Sequence, residues 1–95
     1  MLRPERYKHL NKNLVKISVK AEVGTTLLDD YNLHQKVRHI LDKAMQYFGY
    51  DTNRLSEYEL VKGTSPLNND LTLEEAGLVS GDTLILRAKA PLIDG

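Results

Sequence analysis

Few side chains in this sequence have the type and spacing to do chemistry. Cysteine is absent, which removes disulfides, thiolate metal sites and cysteine nucleophiles together. The histidines are His9, His34 and His39. His34 and His39 stand five residues apart, off the three- or four-residue step that brings side chains to one helical face. No acidic motif completes a ligand set, so they read as surface histidines and no metal is expected. Asp29-Asp30 and Glu74-Glu75 are paired carboxylates, but a glycosidase-type pair needs a cleft between its members, and a chain this small offers no convincing one. Both pairs read as structural. Asp29-Asp30 stands ahead of a helix, where negative charge meets the positive end of the dipole, and Glu74-Glu75 sits in a short helical turn. No glycine-rich phosphate loop or Ser-His-Asp spacing stands out, so the chain is expected to be no enzyme and to need no cofactor. What remains is the stretch Ala88, Lys89, Ala90, Pro91, Leu92, Ile93, Asp94 and Gly95. Pro91 cannot donate a ladder hydrogen bond, so it should end a strand and release a tail. Gly95, lacking a Cβ, leaves its backbone open to close approach.

A body must present that tail, and the hydrophobic periodicity outlines one. Val15, Ile17 and Val19 alternate with Lys16, Ser18 and Lys20, the period of a strand with one wet face. Residues 23–28 read as a second strand, and the short connection with Gly24 near its turn makes an antiparallel hairpin. Leu33, Val37, Ile40, Leu41, Ala44, Met45 and Phe48 recur at helical steps. Asn32 is placed to cap this helix and Gly49 to end it, over about four turns. Residues 50–56 read as a connecting loop. Tyr58 and Leu60 alternate with polar neighbours in a third strand ending at Gly63, and Leu67 falls in a very short fourth. Residues 71–78 form one helical turn closed by Gly77. Ser80-Gly81-Asp82 then turns into a last strand, 83–88, with Leu84 and Leu86 on one face. Strands packed on one amphipathic helix in so short a chain make an α+β roll.

Composition narrows the function. Ninety-five residues at 41% apolar content are one domain, with room for one core. Lysine plus arginine balances aspartate plus glutamate at thirteen each, which argues against nucleic-acid binding, since that needs a basic face. Residues 1–12 are polar and basic without an apolar run. They are expected to form an N-terminal extension and to be neither signal peptide nor membrane span. The expected compartment is the cytoplasm, with no membrane partner.

The run Leu71-Thr72-Leu73-Glu74-Glu75-Ala76-Gly77-Leu78-Val79-Ser80-Gly81-Asp82-Thr83-Leu84-Ile85-Leu86 resembles the closing segment of ubiquitin-like domains. In those domains a leucine opens a helical turn, a glycine and an apolar residue follow, and a Gly-Asp turn precedes an alternating final strand. Over residues 13–89 the order of elements matches as well. The resemblance implies a ubiquitin-like β-grasp roll of four to five strands on one helix, followed by a tail over residues 90–95. Within that superfamily the chain is similar to bacterial ubiquitin-like proteins of ubiquitination-like operons, including those of antiviral defence. It is also similar to the small ubiquitin-like protein of type VII secretion systems, which lacks a glycine-ended tail.

The first likeness implies a protein modifier. An activating enzyme would adenylate the Gly95 carboxylate, a conjugating enzyme would carry it as a thioester, and a target lysine would attack to leave an isopeptide bond that a deconjugating protease can cleave. The nucleophile and any base belong to those partners. Such modifiers usually end in two glycines. Here Asp94 holds the penultimate place, so the activating enzyme would need a cation beside it. The second likeness implies a non-covalent interaction module, such as an accessory protein of a secretion system. Strand alternation points Glu59, Val61, Ile85 and Arg87 away from the core, so Val61 and Ile85, beside Glu59, Lys62 and Arg87, form the expected docking patch. Lys16, Lys20, Lys36 and Lys62 are possible acceptors of a further copy.

Overall fold

The computed structural model describes residues 13–22 and 24–89. Among the described residues, five strands and one long helix form the body: β1 (Leu14–Lys20), β2 (Thr26–Asn32), α1 (Val37–Phe48), a 3-10 helix (Thr52–Glu57), β3 (Tyr58–Lys62), β4 (Ser65–Pro66) and β5 (Thr83–Ala88). The sheet order is β2-β1-β5-β3-β4. β1 and β5 run parallel at its centre, while β2, β3 and β4 add antiparallel to their neighbours. This is the expected α+β roll.

The core lies between one sheet face and α1. Val15, Ile17 and Val19 of β1, Leu60 of β3, and Leu84 and Leu86 of β5 point into it. From α1 they meet Val37, Ile40, Leu41, Ala44 and Met45, and from the following loop Leu73 and Leu78. Burial of this one helical face, rather than helix propensity, holds α1 on the sheet. At its C-terminus Gly49 has φ +84°. Gly49 N–H donates to Gln46 O and Tyr50 N–H to Met45 O, the paired bonds of a glycine-closed helix end.

The start of α1 departs from expectation. Asn32 ends β2, and the helix begins at Val37. Asn32 is nonetheless a capping residue for the turn between them: its Oδ1 accepts from His34 N–H at 2.8 Å, and Gln35 Oε1 accepts from Asn32 N–H at 3.0 Å. The first N–H groups of α1 have a remote cap instead. Val37 N–H donates to Leu71 O and Arg38 N–H to Asn69 O, and Arg38 pairs with Asp70 at 2.7 Å. The 69–75 segment is held in turn by Thr72 and Glu75. Thr72 N–H donates to Glu75 Oε1, and Glu75 N–H donates to Thr72 Oγ1, a reciprocal capping box. Gly77, at φ +77°, closes that turn as expected, with Leu78 N–H on Leu73 O.

Two further expectations are corrected. The second strand is Thr26–Asn32, so Asp29 and Asp30 are strand residues rather than helix-flanking charges; Val23 lies outside the described residues. β2 is an edge strand, where charge discourages pairing with another chain. Asp29 stands at the core-facing register opposite Ile17, and Asp30 pairs with Lys16 at 3.2 Å. The expected loop at 50–56 contains the 3-10 helix, capped by Asp51, whose side chain accepts from Asn53 N–H.

Candidate functional site

The expected docking patch lies on the sheet face opposite α1, and the ladder sets its geometry. Val61 pairs with Ile85 and Glu59 with Arg87, so all four stand on the outer face, as strand alternation requires. Their exposure is uneven. Ile85 is 39% exposed, but Val61 is only 2% exposed although it stands outside the core cluster. On the ladder its neighbours are Ile85 on one side and Pro66 on the other. Val61 therefore offers little open surface, and Ile85 is the accessible apolar member of the expected patch.

The charged members are also committed. Arg87 Nε donates to Glu59 Oε2 at 2.8 Å, so these two form a closed pair across the strands. Lys62 reaches the loop ahead of β5, donating to Gly77 O at 3.2 Å and meeting Asp82 Oδ2 at 3.0 Å. Asp82 Oδ2 also accepts from Val79 N–H at 2.9 Å. Partial burial alone would raise the Asp82 carboxyl pKa, but the Val79 N–H and the Lys62 ammonium outweigh it and hold it below its ordinary value. Lys62 is a structural clamp. What the outer face leaves exposed is Ile85 beside Lys20 on β1, with Leu28 further out on β2, across Ser18 and Thr83.

Ala88 and Lys89, grouped above with the stretch that leads to Gly95, are part of the body, as the strand reading over 83–88 expects for Ala88. Ala88 is the last residue of β5 and pairs with Tyr58, and Lys89 N–H donates to Glu57 O at 2.8 Å. Both belong to the body. Ala90, Pro91, Leu92, Ile93, Asp94 and Gly95, like residues 1–12 with His9, lie outside the described residues. Among the possible acceptors, Lys16 is paired with Asp30 and Lys62 with Asp82, whereas Lys20 and Lys36 are exposed with no carboxylate in salt-bridge range among the described residues.

The other candidates for chemistry are not assembled into a site. His34 is exposed, and His39 packs edge-on against the Tyr31 ring at 6.2 Å. Among the described residues no cluster of three or more His, Cys, Asp or Glu could hold a metal ion, and no helix is long and apolar enough to cross a membrane. Among the described residues Tyr31 is the one strongly perturbed group: burial, and secondarily the negative charge of Asp29, push its phenol up to about 12. Its hydroxyl is buried without a hydrogen-bond partner among the described residues.

No protein-family model matches the chain, and no curated protein does. Solved structures do. A designed protein based on ubiquitin matches with a TM-score of 0.72 at 19% identity, over 88% of this chain and 99% of that one. The ubiquitin of Caldiarchaeum subterraneum matches at 0.70 and 20% identity, over 82% and 96%. The N-terminal ubiquitin-like domain of the 4931431F19Rik protein matches at 0.67 and 14% identity, over 87% and 82%. Identities this low carry the fold and not the activity. The order of five strands around one helix, the two glycine-closed helical turns and these three likenesses agree: the chain has the ubiquitin-like β-grasp fold.

Proposed function

We propose that this protein is a ubiquitin-like modifier whose Gly95 carboxylate is the reactive group. The observation that carries the reading is the ubiquitin-like body, whose last strand pairs with β3 through Ala88. Lys89 is the last described residue, tied by its N–H to Glu57 O, and six residues ending in Gly95 follow it. Glycine at the reacting position suits a narrow enzyme channel, because a side chain there would restrict the backbone angles. An activating enzyme joins the carboxylate to AMP with release of pyrophosphate from ATP. A cysteine thiolate then displaces AMP to form a thioester, and a target amine displaces the thiol to form an amide. The body supplies recognition, and the partners supply the base and nucleophile. Asp94 places a second negative charge beside the reacting carboxylate, so the activating enzyme of this protein has a lysine or arginine at that point.

The test is incubation with ATP and the activating enzyme of the same organism, followed by non-reducing electrophoresis. A thiol-sensitive adduct that needs Gly95 supports the reading. Failure of the intact chain to form it, or equal yield after deletion of Gly95, rejects it. The competing reading, a non-covalent interaction module, predicts a stable complex with one partner whichever residue ends the chain.

A further inference from the structure

β2 and β4 are the two edges of the sheet, and the ladders show which main-chain groups each edge turns outward. Leu33 N–H donates to Asn13 O, one rung beyond the pair Leu14 and Asn32. Bonded and non-bonded pairs alternate along an antiparallel ladder. Leu27, Asp29 and Tyr31 therefore bond to β1, while Thr26, Leu28, Asp30 and Asn32 turn their N–H and C=O groups to the free edge. On the far side Leu67 N–H donates to Leu60 O, so the outward residue of β4 is Pro66, which has no N–H to offer. The β2 edge is closed differently, by side chains. Asp29 Oδ1 accepts from Asp30 N–H at 2.8 Å, and Gln35 Oε1 accepts from Asn32 N–H at 3.0 Å. Asn32 O accepts in turn from Gln35 N–H at 2.9 Å. Asp29 stands at the core-facing register opposite Ile17, yet its carboxylate reaches round to the main chain of the edge. Lys16 offsets the charge of Asp30 at 3.2 Å, so repulsion alone is a weak barrier at that rung.

We propose that Asp29 and Gln35 guard the β2 edge: their side-chain oxygens occupy the outward N–H groups of Asp30 and Asn32 and keep a second copy of this chain from adding to the sheet. With the guards in place, a strand laid along β2 finds unoccupied donors at Thr26 and Leu28 among the described residues and loses the rungs at Asp30 and Asn32. Without them, β2 offers a continuous row of outward donors and acceptors, with Leu28 57% exposed beside it. That is a template for pairing with another chain. A second copy is the occupant to be excluded, because its β2 has the same spacing of outward groups and the same exposed Leu28. Since Pro66 withholds a donor from the opposite edge, edge-to-edge pairing runs β2 to β2. Such a contact is isologous and closes at two copies. The proposal holds whatever Gly95 does.

The test compares the unaltered chain with the double variant Asp29→Val, Gln35→Ala, which deletes both acceptors. Asp29→Asn, which removes the charge but keeps an oxygen for Asp30 N–H, is the control, and thermal unfolding checks that each variant is folded. In sedimentation velocity over a wide range of concentrations, the unaltered chain and Asp29→Asn are expected to remain monomers. The double variant should dimerise, with a Kd lower than theirs by roughly tenfold or more. Amide hydrogen exchange locates the contact: protection of Leu28 N–H should rise with concentration in the double variant alone. A double variant that is folded and as monomeric as the unaltered chain would overturn the proposal. Equal dimerisation of Asp29→Asn would also overturn it, because charge and not the hydrogen-bonded cap would then be the barrier. If the double variant does not fold, exchange in the unaltered chain decides. Asp30 and Asn32 amides slower than that of Leu28 support the guards, and equal rates overturn them.

Discussion

Replacing Asp82 with alanine should loosen the loop that delivers the chain into β5. The side chain is 17% exposed and Lys62 is 40% exposed, so the two contacts of Asp82 contribute unequally. The bond from Val79 N–H to the carboxylate is partly sheltered and charge-assisted, a class that contributes about 1.5–3 kcal/mol. The ion pair with Lys62 is reached by water and contributes about 0–1 kcal/mol. Taking the low end of the first and half of the second, Asp82→Ala should lose about 2 kcal/mol. In a domain of this size that corresponds to a drop in Tm of about 10 °C. Asp82→Asn keeps an acceptor for Val79 N–H and should lose under about 1 kcal/mol. The effect has a pH signature. The folded carboxyl lies below its ordinary value of 3.8, so its contribution is complete above that pH and disappears as pH falls through the lower folded value. Urea unfolding followed by far-UV circular dichroism, at pH 7 and in steps below pH 4, measures both. A loss for Asp82→Ala within about 0.5 kcal/mol of zero, or a difference that stays constant into strong acid, would refute the reasoning.

Tyr31→Phe removes a buried hydroxyl that has no partner among the described residues, so stability should stay level or rise by up to about 1 kcal/mol; a loss of that size would reveal a hydrogen bond to the hydroxyl. Gly49→Ala keeps open space around the Cβ but forces alanine to φ +84°, and should lose about 1–2 kcal/mol in denaturant unfolding. Thr72→Ala deletes one half of the capping box and should lose about 1 kcal/mol. Because the 69–71 backbone caps α1, hydrogen exchange in that variant should speed up at Val37 and Arg38 as well as at Glu75, and exchange confined to Glu75 would show that the two segments are independent.

How far the sequence revealed this fold depended on whether neighbours mattered. β1, α1 and β5 were legible because one face of each is wholly buried, so their apolar residues recur at a clean period. β2 was misplaced because an edge strand needs no such pattern: Leu28 faces solvent, and Asp29 and Asp30 are poor strand formers that suit an edge. The start of α1 was set four residues early because its N–H groups are satisfied by Leu71 and Asn69 carbonyls, which leave no local cap to read. The 3-10 helix was missed because its burial rests on Leu55 alone among its residues. At the expected docking face, alternation places Val61 opposite the outward-facing Ile85, but spacing along one strand cannot carry its burial, which depends on the surrounding elements. Alternation gives the last strand its end at Ala88, whereas the bond from Lys89 N–H to Glu57 O depends on a neighbouring element that the sequence does not reveal. The Gly81-Asp82 turn was legible as a motif, whereas the Lys62 clamp on it was not.

The decisive measurement is mass spectrometry of proteins from cells that produce this chain, after digestion with trypsin. Cleavage behind Lys89 should leave residues 90–95 on the ε-amine of a target lysine, joined through the Gly95 carbonyl. A remnant of that sequence on lysines of other proteins, lost when Gly95 is deleted, is the predicted result. Recovery of the chain only as free protein, with no such branch where the activating enzyme is active, would contradict the account.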